Sequence, residues 1–193
     1  DSETLLRRAD VAMYEAKRSR EPVVAYDTSI DPYRPERLAL VQDLREAVTR
    51  GSLEMWFQPI VEPATGRWST MEALLRWPGR NMPIEEVIRV AEANGLMGPI
   101  TDLVLSRSLQ QVAEWGEMGI HMSVSINVSV ANLLEPDLVE RISVALAVSG
   151  VSPAMLSIEV TETAVMSDRA RACQVIEQIG TLGVAVGIDD YGS

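Results

Sequence analysis

Apolar residues recur at helical spacing near the start of the chain, and short alternating runs that read as strands follow. Residues 3–19 place Leu5, Ala9, Ala12, Met13 and Ala16 at helical intervals, which predicts a helix. A strand-like piece, PVVAY at 22–26, comes next. TSIDPYRPE at 28–36, polar and carrying two prolines, suits a linker. Residues 36–50 set Leu38, Val41, Leu44 and Val48 along one side of a second helix, and Gly51 is a good stop for it. LEMWFQPIV at 53–61 and RWSTMEALLRW at 67–77 flank a Pro/Gly turn, the pattern of an antiparallel hairpin. Helical patterns cover about 83–94 and 100–118.

The chain then alternates. Strand 121–128 leads to a helix at about 135–148, strand 155–161 to a helix at about 168–182, and strand 184–190 follows. This rhythm implies a parallel sheet with right-handed crossovers, in either an open doubly wound sheet or a barrel. Successive side chains of a strand alternate faces. Val124, Ile126 and Val128 therefore oppose Ser123, Ser125 and Asn127. Ile158 and Val160 likewise oppose Ser157, Glu159 and Thr161, and Val184, Val186 and Ile188 oppose Ala185, Gly187 and Asp189. Helices would cover the β-branched faces. The small and polar faces would line an interior that turns polar at the strands' C-terminal ends, as in a (β/α) barrel active site.

Composition narrows the function classes. With 193 residues, 47% hydrophobic and 23% charged, the chain has the make-up of a globular protein of one domain or slightly more. No apolar run approaches the ~20 residues that span a bilayer, and no leader-like segment opens the chain, so a cytoplasmic location without direct membrane contact is expected. The single cysteine, Cys173, fits a reducing compartment, and the lone His121 reads as structural. A net charge of −11 repels phosphate backbones and argues against nucleic-acid polymers as partners. A phosphate-ester substrate would need those carboxylates neutralised locally, and a divalent metal does that.

The polar faces end in Asn127, Glu159 and Asp189, with Asp190 adjacent, while Thr70, Glu72, Leu74 and Arg76 share a face of the second strand. Oxygen donors of this kind suit Mg²⁺ or Mn²⁺, and no His/Cys cluster argues for zinc. Taken singly, an Asn at a strand end can be a helix cap, and Asp-Asp before Tyr-Gly can be a turn. Recurrence on one face of successive strands favours a metal-dependent barrel enzyme.

The motif MEALLRW carries Glu72, Ala73 and Leu74, and FQPIV (57–61), PIEEVIRVAEANGLM (83–97), SINVS (125–129), IEVTET (158–163) and IDDYG (188–192) accompany it in order. Over residues 37–193 the sequence resembles the EAL family of cyclic di-GMP phosphodiesterases. RADVAMYEAKRS (8–19) resembles the last helix of a GGDEF diguanylate cyclase domain. The resemblance implies a GGDEF tail at 1–26, a linker at 27–36, and the first five strands of a TIM-like barrel with an antiparallel first strand. It also implies a two-metal site of Mg²⁺ or Mn²⁺ held by Glu72, Asn127, Glu159, Asp189 and Asp190, with Glu72, Asp189 and Asp190 catalytic. Gln58, Leu74 and Arg76 would contact cyclic di-GMP, and Glu162 would steady the loop after the fifth strand. The implied reaction opens one 3′–5′ phosphodiester bond to give linear pGpG; a non-catalytic cyclic di-GMP receptor is the alternative. The family's later strands supply a lysine, a glutamate ligand and a glutamine without counterparts here, so these 193 residues alone are expected to be inactive. Homodimerisation through the EAL domain is expected. Tyr191 stands where phenylalanine is usual, and MPIEEVI lacks an aromatic often found there.

Overall fold

A computed structural model describes the chain except residues 20, 28–34, 162–164, 167 and 190–193. The chain divides into two compact units, Asp1–Leu44 and Arg45–Ser193. The first contains helix α1 (Ser2–Ser19) and most of α2 (Pro35–Arg50). Residues 22–26, expected as a strand, are irregular and join no strand ladder among the described residues. Extended residues become a strand only where a neighbour takes their hydrogen bonds. Most of the expected linker lies outside the described residues.

The second unit is built on one five-stranded sheet in the order β1-β2-β3-β4-β5. Its strands are β1 (Glu54–Val61), β2 (Trp68–Arg76), β3 (Ser123–Val128), β4 (Leu156–Thr161) and β5 (Ala185–Asp189). β1 and β2 form the expected antiparallel hairpin, with Gln58 opposite Glu72 and Glu54 opposite Arg76. Every later pairing is parallel. This is an α/β fold, an open run of barrel-type strands whose first member is reversed.

Helices α3 (Ile84–Ala93), α4 (Met97–Glu117), α5 (Val130–Leu134), α6 (Leu138–Ser149) and α7 (Arg169–Thr181) connect the strands. The β-branched faces turn toward them. Val124, Ile126 and Val128 of β3 and Leu156, Ile158 and Val160 of β4 are buried in one cluster with Leu105 and Leu109 of α4, Ile142 of α6, and Val175 and Ile179 of α7. Burying each such side chain contributes roughly 1.5–3 kcal/mol, so this face commits to the helices and the serine- and carboxylate-bearing face is left for chemistry. Phe57 of β1 packs edge-on to Trp115 of α4, ring centroids 5.2 Å apart.

Two boundaries differ from the sequence expectation. α4 begins at Met97, three residues early, because Pro99 sits in the first turn, where a missing N–H costs nothing. The expected helix at 135–148 is α6, and a short helix that the sequence reading did not foresee, α5, precedes it. α5 is capped by Ser129, whose hydroxyl accepts from Asn132 N–H while the Asn132 side chain accepts from Ser129 N–H. α6 then ends at Gly150, whose φ of 67° is the left-handed cap that glycine takes without strain. Among the described residues no helix is long and apolar enough to cross a membrane.

Candidate active site

Strand register assembles the site. β1 carries Gln58 opposite Glu72 of β2, and β2 sets Glu72 beside Ser125 of β3. Asn127 lies beside Glu159 of β4, and Glu159 beside Gly187 of β5. Asp189 comes two residues beyond Gly187, beside Thr161. With a side-chain period of two, Gln58, Glu72, Asn127, Glu159 and Asp189 all stand on the face turned away from the hydrophobic cluster.

Contacts join them. Asn127 Nδ2 donates to Glu72 Oε1 at 2.8 Å across 55 residues of sequence. That bond uses the donor end of the amide, and the acceptor end is the one a cation would take. Burial, the largest influence, pushes the Glu159 carboxyl above the usual carboxylate range, and the negative charges of Glu72 and Asp189 push it the same way. Ser125 opposes this. Its hydroxyl is buried without a hydrogen bond of standard geometry, so it acts on Glu159 as a nearby dipole, not as a formed bond. At Gly187 an added Cβ would stand 3.8 Å from Glu159 Cγ, so glycine leaves the space beside that carboxyl open. Deeper on the same face, Thr70 and Ser123 hydroxyls share a 2.8 Å hydrogen bond.

At the mouth, Arg76 Nη1 donates to the Leu75 carbonyl at 2.8 Å, which fixes the guanidinium while leaving further N–H groups for a ligand. Leu74, half-buried, stands between Glu72 and Arg76 on the same face.

Asn127 thus bonds Glu72 and lies beside Glu159, and Glu159 feels the charges of Glu72 and Asp189. Three carboxylates and an amide oxygen suit a hard divalent cation in chemistry. In spacing, no three His, Cys, Asp or Glu side chains among the described residues lie close enough to form a ready ligand group. Asp190, Glu162 and Tyr191 lie outside the described residues. His121 is exposed ahead of β3, and Cys173 is an exposed thiol on α7.

Sequence reasoning passed over the support around this face. Asn132, 1% exposed, donates from Nδ2 to Thr101 Oγ1 at 2.9 Å, tying the segment after Asn127 to α4. The capping pattern Ser129-x-x-Asn132 was the available signal. Arg141 pairs with Asp102 at 2.6 Å and with Asp137 at 2.9 Å. A groove of about 750 Å³ between α4 and α6, lined by Leu105, Arg141 and Val144 among others, contains none of the candidate site residues.

Residues 41–193 match a family model described as the EAL domain. An uncharacterized signaling protein of Caulobacter vibrioides is 34% identical over 196 residues, covering 100% of this chain and 24% of its own length. MucR of Pseudomonas aeruginosa, named a bifunctional diguanylate cyclase/cyclic di-GMP phosphodiesterase, is 32% identical over 200 residues, covering 98% of this chain and 28% of its own. The chain therefore spans about a quarter of the length of these relatives. A solved structure described as a PaMucR phosphodiesterase, c-di-GMP complex, superposes with a TM-score of 0.75 at 31% identity, covering 80% of this chain and 64% of that one.

Proposed function

Because this chain belongs to the EAL domain family, we propose that the protein carrying it is a metal-dependent phosphodiesterase that hydrolyses cyclic di-GMP to linear pGpG. The observation that carries this reading is the shared strand face on which Asn127 bonds Glu72 and Glu159 feels both Glu72 and Asp189. The name of the MucR relative supports the substrate.

Glu72, Asn127, Glu159 and Asp189, with Asp190, would hold Mg²⁺ or Mn²⁺, which lowers the pKa of a bound water and offsets phosphate charge. Glu72, Asp189 and Asp190 are the residues assigned to the chemistry. Arg76 directs its guanidinium at a phosphate oxygen, a charge-assisted bond that orients the substrate. Gln58 offers an amide beside Glu72, and Leu74 supplies an apolar wall between Glu72 and Arg76. Carboxylates crowded on one face would repel a dianionic substrate, and a cation held among them would offset that charge. Glu162 is assigned to the loop after β5.

Residues 1–26 are read as the tail of a GGDEF domain and 27–36 as the linker from it. A cytoplasmic location and a homodimer formed through the EAL domain complete the proposal. The receptor reading draws on one observation, the absence of a ready three-ligand group among the described residues.

Turnover separates the two. The protein carrying this segment, given Mg²⁺ or Mn²⁺, is expected to convert cyclic di-GMP to pGpG, and Glu72→Ala is expected to lose nearly all of that activity. Tight binding without turnover in the wild type would establish the receptor instead.

A further inference from the structure

We infer that Trp56 is a base-stacking residue of the nucleotide site, an inference that rests on the cyclic di-GMP reading above. Trp56 lies opposite Leu74 in the hairpin, on the same face as Gln58 and Glu72. It is 58% exposed, so more than half of a large apolar side chain is left in water. Its neighbour Phe57 points the other way and fills the core against Trp115. Closing the core is therefore the task of Phe57, and Trp56 is available for another.

The indole is also held in place. Its Nε1 donates to Glu54 Oε2 at 3.2 Å, and the Arg76 guanidinium lies over the ring, 5.7 Å from its centroid. One restraint at the ring's edge and one over a face hold the plane of an exposed ring, which removes part of the ordering cost that stacking would otherwise carry. With the guanidinium over one face, the other face is the one a base would stack on, and the cation beside it would take the phosphate. Glu54, at the mouth beside them, offers a carboxylate acceptor to the donor edge of a guanine.

The test is equilibrium binding of cyclic di-GMP to the full chain, with tryptophan fluorescence followed on mixing, before turnover. Trp56→Ala is expected to weaken binding about tenfold, the scale of one lost stacking partner. Trp56→Phe is expected to keep affinity within about threefold, because a phenyl ring still stacks. It is also expected to lose the quenching that the wild type shows, and a merely structural indole would not link those two results. If Trp56→Ala fails to fold by far-UV circular dichroism, retained affinity with lost quenching in Trp56→Phe decides the matter alone. Wild-type affinity in a folded Trp56→Ala, or quenching that persists in Trp56→Phe, overturns the stacking role and leaves the phosphodiesterase reading standing. A folded wild type that does not bind cyclic di-GMP overturns both.

Discussion

Glu135 is a residue on which burial and charge pull in opposite directions. Burial, the strongest influence, raises its pKa; the Arg141 cation lowers it, and Asp137 and Asp102 raise it again. Its Oε2 is buried without a hydrogen-bond partner among the described residues, so ionising it costs the fold part of its hydration. The folded pKa lies above the unfolded one, so the cost is absent at low pH, appears as pH rises past the unfolded value, and is complete above the folded value. Glu135→Gln removes it. The variant is expected to melt higher than wild type near pH 7, with the gap closing by about pH 4, below the unfolded glutamate pKa of about 4.3. Melting temperatures of both proteins across that range check the sign, and a gap independent of pH would contradict the assignment.

Arg141 works at the scale of elements. From α6 it reaches Asp102 of α4 and Asp137 at its own N-cap, and both partners raise its pKa. The approach is close: a Cβ on Gly98 of α4 would meet Arg141 Nη2 at 3.2 Å, so glycine makes room for the guanidinium. The same helix layer carries the tie from Asn132 to Thr101, which anchors the segment leaving Asn127. Arg141→Met keeps the aliphatic stem and removes the charge. Because the pair is partly exposed, the expected loss is about 1–2 kcal/mol, below that of a fully buried ionic bond. Urea unfolding of the two proteins measures it. The sequence showed only half of this arrangement. Asp137 and Arg141 are four apart, a helical neighbour spacing, whereas Asp102 is 39 residues away and joins only when α4 and α6 pack.

At the scale of the molecule, the outer strands of the described sheet are β1 and β5. Exposed apolar side chains stand on both: Trp56, Ile60 and Val61 on β1, and Ile188 on β5. Open strand edges with apolar side chains favour association, and a net charge of −11 opposes it. The apolar term is short-ranged and insensitive to salt, while the repulsion is screened over about 10 Å at 0.1 M salt. Self-association of the chain is therefore expected to strengthen as salt is raised. Sedimentation velocity over a concentration series at low and high salt checks this; a monomer at every concentration in both would refute it.

The alternation of side chains along each strand is a local property, so it was legible in the letters. Ser123, Ser125 and Asn127 had to oppose Val124, Ile126 and Val128 whatever the rest of the chain did, and the same held for Glu159 and Asp189. The antiparallel hairpin was legible for the same reason, since its turn is written in residues that adjoin. Register between strands that are distant in sequence is not local. That Asn127 bonds Glu72, that Glu159 lies beside Gly187, and that Asn132 reaches Thr101 depended on how far each strand slid against its neighbour. Packing of the β-branched faces on the helices set those positions. The sequence by itself determined which residues share the polar face; only the tertiary structure decided which of them touch, because contact across tens of residues is fixed by the burial of the opposite face.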